Sequence, residues 1–192
     1  MISTMEWGPE AVQLLKEVVS HWAGMDPKAA AEYAMTINSL RSRGTIMNAV
    51  IDAWSKTDPV AAAEYTKSIE SRLTRSAVLS TLINNWSKSD PQAALAWFRE
   101  NAKLDGKAMN SSTTALFKNL IQYDLAWSLT QVWNLPNPDM KRSAIRTVVD
   151  EMARRKSEDA LMSLYGQMAE GKDRTLLAEA LVENLTRYQP DK

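Results

Sequence analysis

The chain has 192 residues, 45% of them apolar and 24% charged, proportions of a folded protein rather than a disordered one. Its 23 basic side chains balance 23 acidic ones, and no basic run exceeds Arg154-Arg155-Lys156, so the basic face of a nucleic-acid binder is not expected. Without cysteine there is no disulfide framework and no thiolate, and no run of about 18 apolar residues exists to span a bilayer. Residues 1–15 do not carry the pattern of a secretory signal, and the composition points to no compartment.

The first predicted helix starts at Pro9 and ends near Trp22, with Leu15, Val18 and Val19 on one face. WAGMDPKAAAEY (22–33) follows, and nearly the same words return as WSKTDPVAAAEY (54–65) and WSKSDPQAALAW (86–97), 32 residues apart each time. A fixed period of this size is the mark of a repeat architecture. Its chemistry is that of helix punctuation. An Asp carboxylate caps the free N–H groups of a first turn, and Pro is preset for the first helical position. Asp26-Pro27, Asp58-Pro59 and Asp90-Pro91 each predict a helix start. The same Pro disfavours helix in the residue before it, so each Trp should close the preceding helix, with a turn of a few residues between.

Each unit is therefore a hairpin of a helix A, opening at Asp-Pro, and a helix B, closing at Trp. On the B helices Met47, Val50 and Ile51, then Leu79, Leu82 and Ile83, form one face with the Trp at its end. On the A helices Ala29-Ala30, Ala61-Ala62 and Ala93-Ala94 precede Tyr33, Tyr65 and Trp97, small residues that let two helix backbones approach.

The pattern degrades after residue 100 but keeps its period. Leu116, Phe117 and Leu120 with Asp124 imitate Leu82, Ile83, Trp86 and Asp90. A short helix A is expected over about 125–133, and NLPNPD (134–139) forces a turn. Ile145, Val148, Val149 and Met152 rebuild a B face, and Ser157 caps a helix carrying Ala160, Leu161 and Leu164. Leu177, Ala178, Leu181, Val182 and Leu185 make a last B face before Pro190. The expected fold is all-α, a single helical-repeat domain over 1–192 with a half repeat near 9–26 and units near 27–58, 59–90, 91–124, 125–157 and 158–189, about five and a half hairpins with a period of about 32–34.

This organisation resembles the TPR-like superfamily of αα-hairpin solenoids, and in wording it is similar to the W-x3-D-P-x-A-A-x2-W/Y repeats of large, uncharacterised bacterial proteins. The resemblance covers nearly the whole chain in period and helix pairing. It departs from the tetratricopeptide signature where Trp22, Trp54 and Trp86, or Ile37, Ile69 and Asn101, stand in place of small residues. What it implies is a right-handed αα-superhelix whose A helices line a concave, partner-binding surface; it implies no activity.

Catalytic constellations are hard to assemble from this composition. The one histidine, His21, stands near the end of a B helix; with no Cys beside it, neither a Cys/His dyad nor a His/Cys zinc site can form within the chain. The six glycines form no phosphate loop. Asp26, Asp58 and Asp90 are accounted for by capping, and Glu32 and Glu64 read as solvated. No enzyme, cofactor or metal is expected. Trp7, Trp127 and Trp133 fall outside the repeat register and read as candidate exposed anchors.

The expected role is a scaffold that binds a protein or peptide through its helix A columns. Those columns read Ala31, Ala63, Leu95; Met35, Lys67, Arg99; and Asn38, Glu70, Ala102. Met35, Asn38, Lys67, Glu70 and Arg99 are the candidate contact residues, beside a flat Ala column. The alternative is a structural spacer or self-association module of a larger protein, with the chain a segment of a longer array and its apolar ends pairing as a weak homo-oligomer.

Overall fold

The computed structural model describes residues 8–104, 106–155, 162, 163, 165, 166, 168 and 170–188. Among the described residues it is entirely helical. The long helices are α1 (Pro9–Ala23), α3 (Leu40–Thr57), α5 (Arg72–Ser89), α7 (Gly106–Tyr123), α9 (Pro138–Arg154) and α10 (Lys172–Tyr188). Between them lie the short α2 (Pro27–Thr36), α4 (Pro59–Ser68), α6 (Pro91–Glu100) and α8 (Leu125–Val132). The expected helix at Ser157, Ala160, Leu161 and Leu164 lies outside the described residues, as do Trp7 and Pro190.

The Asp-Pro starts are as local chemistry dictates. Asp26 Oδ1 accepts from Ala29 N at 3.0 Å, Asp58 Oδ1 from Ala61 N at 2.9 Å and Asp90 Oδ1 from Ala93 N at 2.9 Å. Asp124 makes the same bond to Trp127 N at 2.9 Å without a following Pro. The turn before the cap is shorter than the sequence suggests. α3 runs past Trp54 to Thr57 and α5 past Trp86 to Ser89, so Asp58 and Asp90 alone end one helix and begin the next. The hydroxyls of Thr57 and Ser89 donate to the carbonyls of Trp54 and Trp86, at 3.0 and 3.1 Å, and extend the last turn. Of α1, α3 and α5, α1 alone, which ends at Ala23, is followed by a longer turn before its Asp cap.

Each Trp packs on the aromatic residue eleven positions on. Ring centroids are 5.8 Å apart for Trp22 and Tyr33, 5.4 Å for Trp54 and Tyr65, and 6.0 Å for Trp86 and Trp97, with tilts near 45°. These pairs close each hairpin over a core of Met47, Val50, Ile51, Leu79, Leu82 and Ile83, all inaccessible. Val18, expected on the same face in α1, is exposed.

The long helices pack side by side in chain order, and each described short helix packs its backbone against the two long helices that flank it. Seating on two helices at once gives the short helices a wide buried arc. Ala31, Ala63 and Leu95, expected as a flat column facing a partner, are instead core residues. Trp127 and Trp133 are likewise half-buried against the core rather than standing out as anchors.

Two further devices repeat with the sequence. Arg43 donates from Nε to the Ile37 carbonyl at 2.7 Å, and Arg75 from its guanidinium to the Ile69 carbonyl at 2.7 Å, pinning the turn before each long helix. Ser39 and Ser71 cap the same helices. The seams between long helices are bridged by side chains: Thr81 donates to Asn48, Asn85 to Asp52 and Ser55, Asn119 to Asn84 and Ser87, and Asn184 to Asp150.

Candidate functional site

Among the described residues the short helices cover one side of α1, α3, α5, α7 and α9, and no helix packs on the other side of that row. That other side carries a furrow between the N-terminal halves of neighbouring long helices. At the α3–α5 seam the furrow encloses about 430 Å³, floored by Gly44, Thr45 and Ala77 and walled by Leu40, Arg41 and Leu73. At the α1–α3 seam a furrow of about 350 Å³ is bounded by Pro9, Val12, Arg41, Ser42 and Thr45. These are one feature repeated: Pro9 and Val12 stand 32 residues before Arg41 and Gly44, and Arg41 and Thr45 stand 32 before Leu73 and Ala77.

A third copy lies at the α9–α10 seam and is the largest, about 510 Å³. Pro138 and Arg142 are there 98 positions after Leu40 and Gly44, and Lys172 and Leu176 are 99 after Leu73 and Ala77. The α8–α9 loop at Leu135, Pro136 and Asn137 adds a wall, which accounts for the larger volume.

Small residues open the furrow. A Cβ placed on Gly44 would meet nothing nearer than the Ala77 Cβ, at 3.8 Å. Leu40 and Leu73 stand beside this gap 54% and 70% exposed, although both open long helices. At the two central seams the same face is crossed by hydroxyl pairs, Ser80 with Ser112 at 3.1 Å and Thr114 with Ser143 at 3.0 Å.

The furrows are electropositive. Arg41 lines two of them, and Lys141, Arg142 and Lys172 line the third. The one acid in any lining, Asp173, is held by Lys141 at 3.1 Å. Arg142 has a long contact to Asp139, 3.7 Å, whereas Arg41 and Lys172 have no ion-pair partner among the described residues. No acidic residue occupies the first turn of α3 or α5, although Glu70 precedes the Ser71 cap and Glu10 stands in the first turn of α1.

The five residues expected to contact a partner occupy matching places in successive units. Met35, Lys67 and Arg99 are each the last residue but one of α2, α4 and α6. Met35 is half-buried against the core, and Lys67 is exposed and paired with Glu64 at 3.0 Å. Arg99 spans two short helices, donating to the carbonyl and the Oε1 of Gln131 at 3.0 and 2.9 Å; burial lowers its pKa from the ordinary arginine value. Asn38 and Glu70 are exposed in the turns before Ser39 and Ser71, at the furrow end of the long helices. The furrow residues Leu40, Gly44, Leu73 and Ala77 went unnoticed in the sequence. Their signal was an apolar residue just inside each Ser cap, where a soluble helix has no core reason to place one.

His21 is exposed near the end of α1. Among the described residues no group of three or more His, Cys, Asp or Glu could hold a metal ion, and no helix is long and apolar enough to cross a membrane. No protein-family model matches the chain, and neither a curated protein nor a solved structure matches it.

Proposed function

We propose that the chain is a TPR-like helical-repeat solenoid acting as a non-catalytic scaffold that binds a protein or peptide segment. The observation that carries this reading is the recurrence of one furrow at three seams of the free face. Repeat arrays bind partners along such continuous faces, because each unit presents the same local surface to the ligand. The furrow face replaces the helix A columns as the binding surface, since burial of Ala31, Ala63 and Leu95 removes the flat strip on which those columns relied. A photo-crosslinking amino acid placed at Leu73, and at Glu64 on the short-helix side as control, tests it in the cells that make the protein. Adducts of discrete higher mass are expected from Leu73 alone. No adduct from Leu73, or the same adducts from both positions, overturns the reading.

A self-association module is the second reading, favoured by the two ends of the helix row. Leu14 and Val18 of α1 are 64% and 57% exposed, whereas Ile46 and Val50, 32 positions on, are inaccessible. Val182 and Leu185 of α10 are 63% and 45% exposed, against 0% and 4% for Ile83 and Trp86, 99 positions earlier. A second copy stacking α10 on α1 would cover both sets. Light scattering over a concentration series decides: a mass that rises with concentration and is reset by Val182→Lys supports stacking, and a constant monomer mass excludes it.

A further inference from the structure

Resting on the scaffold reading, we infer the chemistry of the segment that the furrow face accepts. It is an extended, acidic stretch of another protein, with two aliphatic side chains three residues apart seated in the adjoining α1–α3 and α3–α5 furrows, and a carboxylate between them against Arg41.

Three observations converge on this occupant. The first is spacing. Packed helices lie about 8–10 Å apart, and an extended chain of polyproline-II type, with three residues per turn and a rise of about 3.1 Å, returns every third side chain to the same face about 9 Å on, at the next furrow. The second is the furrow floor. Gly44, Ala77 and Val12 leave space beside the exposed Leu40 and Leu73, room for an aliphatic side chain in each furrow.

The third is charge. Arg41 belongs to the linings of both furrows, so it stands between the two seats, and it has no ion-pair partner among the described residues. The acid-free first turns of α3 and α5 add their own positive ends. At the far end of the row the third furrow sets Lys141, Arg142 and Lys172 against Asp173 in its lining and Asp139 in the first turn of α9. A basic segment would meet Arg41 as like charge between the two seats, and a neutral one would leave it unanswered.

The test uses a fluorescein-labelled peptide of about eight residues, acidic throughout and carrying Leu-Asp-Glu-Leu at its centre, titrated with the full chain and followed by fluorescence anisotropy. Saturable binding that weakens as salt rises is expected. Arg41→Glu should reduce affinity at least about tenfold, by opposing charge where complementarity stood. Gly44→Leu should reduce it without any change of charge, by filling the floor. Gln92→Glu, exposed on α6, is the charge control and should leave binding unchanged. Thermal melts by circular dichroism establish that each variant is folded.

Equal binding of a Leu-Lys-Lys-Leu peptide, unaltered affinity in Arg41→Glu, or no binding of the acidic peptide overturns the inference. Adducts from Leu73 together with no acidic-peptide binding would leave the scaffold reading standing and remove only the acidic, extended ligand. Loss of both would remove both.

Discussion

The side-chain amide of Asn85 crosses the α3–α5 seam to Asp52, donating to its Oδ1 at 3.0 Å and to its main-chain carbonyl at 3.3 Å, and it also reaches Ser55 Oγ at 2.9 Å. Asn119 does the same to Asn84 and Ser87 across the next seam. Each amide ties three acceptors of the preceding long helix, which fixes the sliding register of the row as well as its spacing. Asn85→Ala is expected to cost about 1–2 kcal/mol in denaturant unfolding, because the acceptors lose a partner in a partly dry seam.

The same contact makes a pH prediction. Burial alone would raise the Asp52 pKa, but hydrogen bonds from Lys56 and Asn85 and the charges of Lys56 and Lys16 outweigh it and hold the carboxyl below the ordinary aspartate value. A depressed folded pKa contributes stability that is fully present above the unfolded value, about 3.9, and is lost as pH falls through the lower folded one. The stability gap between the natural chain and Asn85→Ala should therefore be widest at neutral pH and narrow as pH falls below the unfolded value, about 3.9. A gap of constant size across that range would show that the carboxylate takes no part.

Trp54 is 7% exposed and packs on Tyr65. Trp54→Ala should cost about 3–5 kcal/mol, as large-to-small core changes do. In a row where each helix touches only its neighbours, the damage should stay local, so circular dichroism and the fluorescence of distant tryptophans should report different midpoints. Coincident midpoints and an unchanged melt would remove Trp54 from the core.

Asp58→Ala should destabilise by about 0.5–2 kcal/mol, since Ala61 N–H loses its acceptor. Asp58→Asn should cost much less, because the amide oxygen still caps. Equal losses in thermal melts of the two variants would point to a charge partner instead of the cap.

Gly44→Ala should stabilise α3 by about 0.5–1 kcal/mol, because glycine inside a helix lowers stability relative to alanine and the added Cβ meets Ala77 at ordinary contact distance. A lower melting temperature would show that the furrow floor has no room for even one methyl group.

How much of this was legible in the sequence depended on how local the cause was. Asp26, Asp58 and Asp90 act on backbone three residues away, so their helix starts could be read directly. The burial of Met47, Val50, Leu79 and Leu82 followed from spacing on one helix. Ser55 and Ser87 were not legible as seam residues, although each follows a repeated Trp, because their partners Asn85 and Asn119 lie 30 and 32 residues on. Ala31 and Ala63 were misplaced because a single-face pattern cannot show that a short helix is wedged between two long ones. The candidate site suffered from the same limit: the furrow at Gly44 and Ala77 exists only where two helices 33 positions apart meet.

The one-residue joints at Asp58 and Asp90 bear on how the chain is cut. A protease must draw several residues in extended form through its cleft, and a joint between Thr57 and Pro59 or between Ser89 and Pro91 offers a single non-helical residue. Long-to-short junctions of this kind leave no slack to feed a cleft without melting a helix. The first nicks in limited digestion are therefore steered to the longer connections, such as 101–104 and 133–137, and the α3–α6 block should survive as the resistant fragment.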